Sequence, residues 1–148
     1  MSGEELTGTF TYRSFLDRPE PVDDFERLRF AQLELRLAVD AEGKITGDLV
    51  FPTSPGAVPL AMEITGHVSG GSSPTHFSYA GKGRPDTPIA DFHYEYDGVV
   101  LHHWEAGIGQ RLTLAGTVCR ASDHGSGETL ARAGQTASFL AVKRDAPA

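Results

Sequence analysis

The stretch Ile64-Thr65-Gly66-His67-Val68 places a glycine two positions away from a large apolar residue on either side. The same arrangement occurs at 6–10, 45–49 and 114–118, and Tyr79-Ala80-Gly81-Lys82 is a looser copy. Each copy alternates apolar with small or polar residues, which is typical of a β-strand. Glycine weakens a strand, so its repetition on the apolar face indicates a sharp bend, a bulge or a close approach of two backbones. Strands that bend at one level let a small sheet close on itself, and the pattern therefore predicts a small β-barrel.

Alternating segments separated by turn residues predict about nine short strands in a single domain over residues 1–148. The segment 31–39 is the clearest, because Leu33 and Leu35 share one face while Glu34 lies on the other. Sequential strands usually pair as neighbours, so the predicted fold class is all-β, a small antiparallel up-and-down barrel of eight or nine strands. A two-sheet sandwich is the alternative, but it gives no reason for glycine at matched levels of so many strands.

Composition limits the partners that this chain can have. Its formal charge of −7, from 20 acidic and 13 basic residues, argues against binding to nucleic acid or to an anionic membrane surface. No apolar run approaches the ~20 residues of a membrane helix, and the acidic start at 1–5 lacks the features of a secretion signal. Cys119 is the only cysteine, which excludes an internal disulfide and a thiolate metal cluster within one chain. We expect a cytoplasmic protein.

Residues 16–30 form a long connection that contains two prolines and several acidic side chains. Asp23 is predicted to cap a short helix there, with Glu26 completing a capping box. Connections of this length are typically lids or binding loops, so we expect this one to cover a ligand.

The dipeptide Asp97-Gly98 predicts a tight hairpin over residues 91–104. In that hairpin His93 lies opposite His102, with Cβ atoms about 4.5–5.5 Å apart, and Glu95 lies diagonally close. Two imidazoles and a carboxylate can hold a divalent metal or exchange protons near neutral pH, so these three are the candidate catalytic residues. The alternative places them on the outside of the barrel, in water, because the opposite face of the hairpin is more apolar.

All four tyrosines of the chain fall on the predicted inward face. A buried phenol needs a hydrogen-bond partner, which in a barrel is another tyrosine, a water molecule or a ligand. The candidate ligand-binding residues are Phe10, Tyr12, Tyr79, Tyr94, Tyr96, His103 and Trp104. The alternative is a filled core, since an eight-stranded barrel is just wide enough to be filled by its own side chains. An arginine that pointed inward would anchor an anion, and the strand arginines are Arg13, Arg36, Arg111 and Arg120.

The opening segment Leu6-Thr7-Gly8-Thr9-Phe10 and the Thr-Gly repeats after Ile45 and Ile64 resemble the strands of calycin-type barrels, the avidins and lipocalins. Avidin-like chains often carry tryptophan where Phe10 stands. The resemblance implies a cup-shaped barrel that holds a small ligand at one end. It does not imply biotin binding, because avidins line their site with several tryptophans and this chain has only Trp104.

Three functions remain open from the sequence. The first is binding of a small hydrophobic or aromatic molecule inside the barrel. The second is a cofactor-free cyclase, isomerase or lyase that acts on an apolar intermediate by His, Glu or Tyr acid–base chemistry. The third is a filled barrel that serves as an accessory or homo-oligomerisation domain. No metal or cofactor is predicted for any of them. An inward-facing histidine–carboxylate pair would favour the enzyme, and a cavity without such a pair would favour binding.

Overall fold

The computed structural model describes residues 3–17, 23–52, 55–57, 59–69, 75–101 and 111–144. Within these ranges the chain forms eight strands: β1 (Gly8–Leu16), β2 (Arg29–Val39), β3 (Lys44–Val50), β4 (Ala61–Ser69), β5 (His76–Gly83), β6 (His93–Val100), β7 (Thr113–Arg120) and β8 (Thr136–Lys143). Short 3-10 turns lie at Gly3–Leu6, Phe25–Leu28 and Gly127–Thr129. No helical segment in these ranges combines the length and the apolar character that crossing a bilayer requires.

Each strand pairs in antiparallel fashion with the next, and β8 pairs back onto β1. The sheet is therefore a closed up-and-down barrel, which confirms the predicted fold class. Alternation along the strands sends one set of side chains into the interior. On β2, for example, Leu33, Leu35 and Leu37 are buried, whereas Arg36 is exposed on the outer face.

Three of the repeated glycines, Gly47, Gly66 and Gly116, lie where neighbouring backbones approach each other closely. A Cβ atom added to Gly66 would lie 2.1 Å from the Ser78 carbonyl oxygen and 2.5 Å from the Tyr79 Cα. On β7, a Cβ atom at Gly116 would lie 2.1 Å from the Asp97 carbonyl oxygen. Both distances are far below van der Waals contact, so only glycine fits without moving a strand. Of the explanations that the sequence left open, the close approach of two backbones is the one found.

The predicted hairpin at Asp97-Gly98 is wrong, because β6 runs straight through this dipeptide. Gly98 lies opposite Phe77 of β5 and Gly116 of β7, and a Cβ atom there would meet the Ala115 carbonyl oxygen at 2.4 Å. Gly98 is therefore another glycine of the close-approach type, and not a turn residue. Two predicted strands merge into one for this reason, which makes the total eight.

The loss of the hairpin also changes which residues face inward. Alternation continues through Gly98, so Val100 is buried at 3% exposure. Val99 and Leu101, which a two-residue turn at Asp97-Gly98 would put on the same face as Tyr94 and Tyr96, do not belong to the core, and Leu101 is 40% exposed. The cross-strand partner of His93 is Lys82 of β5 and not His102, which lies outside the described residues.

The described part of the connection between β1 and β2 packs on the barrel wall. The 3-10 turn Phe25–Leu28 is capped by Asp24, whose Oδ1 accepts a hydrogen bond from the Glu26 amide at 3.1 Å, so the prediction of Asp23 as the cap was off by one residue. The ring of Phe25 stacks on Phe15 with centroids 3.9 Å apart, and Glu26 pairs with Arg13 at 2.8 Å. These contacts fasten the turn beside β1.

The interior is packed with aromatic rings in the middle and with aliphatic side chains towards the end where β1 begins. Leu6, which is fully buried, lies near this end with Val39 and Ile45, and Thr7 ties the end to β2 by accepting a hydrogen bond from the Val39 amide at 3.0 Å. In the middle, Tyr79 and Tyr96 stack with centroids 4.6 Å apart and planes 5° apart. The remaining ring contacts of this stack involve Tyr12, Phe77 and Phe139.

Candidate functional site

The opposite end of the barrel contains a cavity of about 240 Å³. It lies where β1 and β7 end and where β2, β4 and β6 begin, and we call it the cavity end. Its apolar lining includes Phe30, Leu33, Phe51, Met62, Phe92 and Val118. Its polar lining consists of Tyr12, Ser14, Tyr94, Tyr96, Arg120 and His124. A mostly apolar wall with a few placed polar groups is the usual composition of a small-molecule site.

Among the residues that the structure describes, Arg120 is the one charged residue that is buried, at 8% exposure. It shares the inward face of β7 with Leu114 and Val118, because all three occupy alternate positions. Its Nε donates a hydrogen bond to the Tyr94 hydroxyl oxygen at 3.0 Å, and its Nη1 donates to the Arg132 carbonyl oxygen at 3.2 Å. Its guanidinium carbon also lies 5.6 Å from the Tyr94 ring centre and 5.7 Å from that of Phe30, within the range of cation–π attraction.

No carboxylate of the described residues forms an ion pair with Arg120. The acidic side chains on the nearby loops have other partners: Asp91 accepts from the Gly125 amide at 3.1 Å, and Asp123 accepts from the Ala133 amide at 2.6 Å. The remaining guanidinium N–H groups, including both on Nη2, have no partner in the described protein. A buried charge without an opposite charge is costly, so this arrangement suits an anion supplied from outside the chain.

His124 comes from the loop between β7 and β8 and is held there by a backbone bridge to Ala131. Its ring stacks on Phe92 with centroids 3.9 Å apart, and its Nε2 lies 2.9 Å from the Tyr94 hydroxyl. Burial lowers the pKa of His124, the nearby Arg120 lowers it further, and Asp91 opposes the shift. His124 is therefore more easily kept neutral than an ordinary histidine.

The donors and acceptors of this cluster can be assigned from chemistry. An arginine Nε–H can only donate, so the Tyr94 oxygen accepts from Arg120. The Tyr94 proton is then available for the lone pair of neutral His124 Nε2. Tyr94 thus uses its hydroxyl within the protein, and the chain Arg120–Tyr94–His124 holds all three side chains at the cavity end.

Ser14 is a second polar group of the cavity wall with unused hydrogen-bonding capacity. It is 1% exposed, and its Oγ forms no hydrogen bond. Tyr12 lies on the same face of β1, and its hydroxyl interacts with that of Ser14 without reaching the geometry of a hydrogen bond. A buried hydroxyl left unpaired costs about 1–3 kcal/mol, and a ligand oxygen in the cavity would satisfy it.

The predicted ligand-binding residues fall into three groups. Tyr12, Tyr94 and Tyr96 line the cavity. Phe10 and Tyr79 lie in the packed interior, where Phe10 is fully buried and the Tyr79 hydroxyl has no hydrogen-bond partner. His103 and Trp104 lie outside the described residues. Burial raises the pKa of Tyr12, Tyr79 and Tyr96, so all three remain neutral phenols at physiological pH.

Two of the predicted catalytic residues lie together on the outer face of the barrel. The His93 Nε2 is 2.8 Å from the Glu95 Oε1, and both alternate with the inward-facing Tyr94 and Tyr96. They do not line the cavity. The third, His102, is outside the described residues. No group of three or more His, Cys, Asp or Glu side chains that could hold a metal ion is found in the described ranges.

Sequence reasoning missed Ser14 and His124 and treated Arg120 only as one of several strand arginines. Alternation along β7 would have placed Arg120 inward with Val118, and alternation along β1 would have placed Ser14 inward with Tyr12. Nothing in the sequence around His124 indicates its contact with Tyr94, which is 30 residues away along the chain. No known protein family, curated protein or solved structure matches this chain.

Proposed function

We propose that this protein binds a small, largely apolar molecule at the cavity end of the barrel. The observation that carries the proposal is the cavity of about 240 Å³, which has aromatic walls and a buried cationic group with unused N–H donors. A barrel interior of this width can be filled completely by its own side chains. Here the middle of the barrel is filled and one end is not, which argues against a filled barrel that serves as an accessory or homo-oligomerisation domain.

The size of the cavity limits the ligand. A dry protein cavity of about 150 Å³ accommodates benzene, which has six heavy atoms. At the same packing, 240 Å³ holds about ten heavy atoms, which is one aromatic ring with a short substituent. For a neutral ligand of that size, such as indole, we expect a dissociation constant between about 0.1 and 1 mM.

The test is a matched pair of substitutions that add the same side chain in two places. Ala31 lies at the cavity, whereas Ala115 lies on the outer face of β7. Ala31→Trp places an indole ring in the cavity, and Ala115→Trp places one on the surface. Indole is titrated into each protein while backbone amide signals are followed by two-dimensional NMR. The unmodified protein and Ala115→Trp should show saturable shifts at cavity residues such as Val118, and Ala31→Trp should show none.

Two results would contradict the proposal. Absence of saturable shifts in the unmodified protein at several millimolar indole would mean that the cavity is not a binding site. Equal affinity in Ala31→Trp would mean that indole binds elsewhere. The dispersion of the amide spectrum reports folding for each variant, so a loss of binding is distinguished from a loss of structure.

A cofactor-free acid–base enzyme is the second candidate, and the Tyr94–His124 hydrogen bond at the cavity favours it. A phenol paired with a neutral imidazole can exchange a proton with a bound molecule. Neither residue bonds to a carboxylate within the described ranges, and the His93–Glu95 pair on the outer face points away from the cavity, so binding is favoured over catalysis. If the protein is such an enzyme, it should accelerate hydrogen–deuterium exchange at the methylene group of phenylacetone, and His124→Asn should lose this acceleration. Exchange at the rate of buffer alone would exclude this activity for that class of substrate.

A further inference from the structure

We propose that the ligand of the cavity end is an acid: a small aromatic monocarboxylate whose head group pairs with Arg120. This inference rests on the proposed binding function and names the class of molecule bound. It depends on the two polar side chains of the cavity whose hydrogen-bonding capacity the protein leaves unused, Arg120 and Ser14.

Arg120 requires an anion more than it requires another neutral partner. Its Nε and Nη1 bond to a phenol and to a carbonyl, which satisfy hydrogen bonding but supply no negative charge. The two flanking rings give only cation–π attraction. The planar fork of a guanidinium matches the two oxygens of a carboxylate, and the N–H groups on Nη2 are free for that contact.

Ser14 is an independent observation that points to the same ligand. Its hydroxyl is buried in the cavity wall and unpaired, so it can donate to an oxygen of a bound molecule. Tyr94 does not compete for this role, because its proton is directed to His124. The donors left over at the cavity therefore include a cation and a neutral hydroxyl, a set that selects an oxyanion over an amine.

The overall charge of the chain sharpens the inference. With a formal charge of −7, the protein as a whole repels acids. A preference for an acid over its neutral analogue must therefore arise locally, at Arg120. The cavity volume fits a molecule of about ten heavy atoms in all, carboxylate included, which matches phenylacetate.

The experiment compares phenylacetate with phenylacetamide, which has the same shape and no charge. Affinities are measured by isothermal titration calorimetry for the unmodified protein, for Arg120→Met and for Ser14→Ala. Arg36→Met is the control, because Arg36 is exposed on the outer face of β2. We expect the unmodified protein and Arg36→Met to bind the acid about 10- to 100-fold more tightly than the amide. Arg120→Met should abolish this preference, and Ser14→Ala should weaken the binding of the acid about 3- to 10-fold.

Each other outcome overturns the inference in a recognisable way. If phenylacetamide binds the unmodified protein as tightly as phenylacetate does, the binding function stands and the acid preference fails. If Arg120→Met keeps the preference, the anion is recognised elsewhere. If neither compound binds, the inference and the proposed function fail together. Should Arg120→Met not fold, the two compounds on the unmodified protein still decide the question. Added NaCl should then weaken binding of the acid and leave the amide unaffected.

Discussion

Replacement of Gly66 by alanine tests whether the repeated glycines are required for the barrel to close. The added Cβ atom would lie 2.1 Å from the Ser78 carbonyl oxygen, whereas ordinary contact begins at 3.4 Å. The oxygen belongs to the backbone of β5, and the position of the Cβ atom is fixed by the backbone of β4, so the clash cannot be relieved by rotating a side chain. Strands β4 and β5 would have to separate by about 1 Å at this point.

The expected cost follows from that separation. Forcing an extra methyl group into a well-packed site costs about 1–3 kcal/mol, and weakening one or two hydrogen bonds between β4 and β5 adds about 1–2 kcal/mol. Alanine also restricts the unfolded chain, which returns about 0.4–1 kcal/mol. We expect Gly66→Ala to lower the free energy of unfolding by about 2–4 kcal/mol, and the melting temperature by roughly 5–15 °C for a chain of this size.

Gly81→Ala is the matched control. Gly81 lies on the neighbouring strand opposite Ile64, and its added Cβ atom would first meet the tip of the Ile64 side chain at 3.2 Å. A flexible side chain can move by the few tenths of an ångström required, so we expect a change within about 1 kcal/mol. Urea unfolding monitored by circular dichroism measures both variants. Equal stability of Gly66→Ala and Gly81→Ala would refute the close-approach explanation.

Three further predictions concern polar groups of the barrel interior and the cavity. Tyr79→Phe removes a buried hydroxyl that has no hydrogen-bond partner, so we expect the free energy of unfolding to stay the same or rise by up to about 1 kcal/mol. Tyr94→Phe breaks the hydrogen bonds to Arg120 and His124, and we expect it to lower the free energy of unfolding by about 1–3 kcal/mol in the same urea assay. The pKa of His124 is lower in the folded protein than its ordinary value of 6.5. As the pH falls through 6.5, the unfolded chain therefore takes up a proton at this residue more readily than the folded protein does. The free energy of unfolding decreases as a result. His124→Asn should make the decline in unfolding free energy between about pH 7.5 and 5.5 shallower, and an unchanged slope would contradict the assignment.

The fold could be predicted from sequence because it depends on repeated local patterns. Alternation fixed the inward set on β2 and β4, and the glycines at matched levels indicated closure. A glycine was also the cause of the main error, which was the predicted hairpin at Asp97-Gly98. Asp97-Gly98 is a strong local turn signal, but Gly98 is needed in mid-strand because Gly116 lies directly opposite it. Only knowledge of the strand partner separates these two uses of glycine.

The candidate site was less accessible to sequence reasoning because it depends on contacts that are distant along the chain. Tyr12, Tyr94 and Tyr96 could be expected to face inward from alternation alone. Alternation could not predict how their roles differ. Tyr96 stacks in the filled middle of the barrel and also borders the cavity, whereas Tyr94 bonds to Arg120. Which end of the barrel is filled depends on how five rings from four strands pack, and no local pattern encodes that.

The location of a bound acid is the most direct test of whether the cavity end is the binding site. Isotope-filtered NMR on the protein with saturating phenylacetate reports which protein protons lie within about 5 Å of the ligand ring. We expect contacts to Val118, Met62 and the ring of Tyr96, all of which line the cavity. Contacts only to outward side chains of β8 such as Leu140, or no contacts at all, would contradict it.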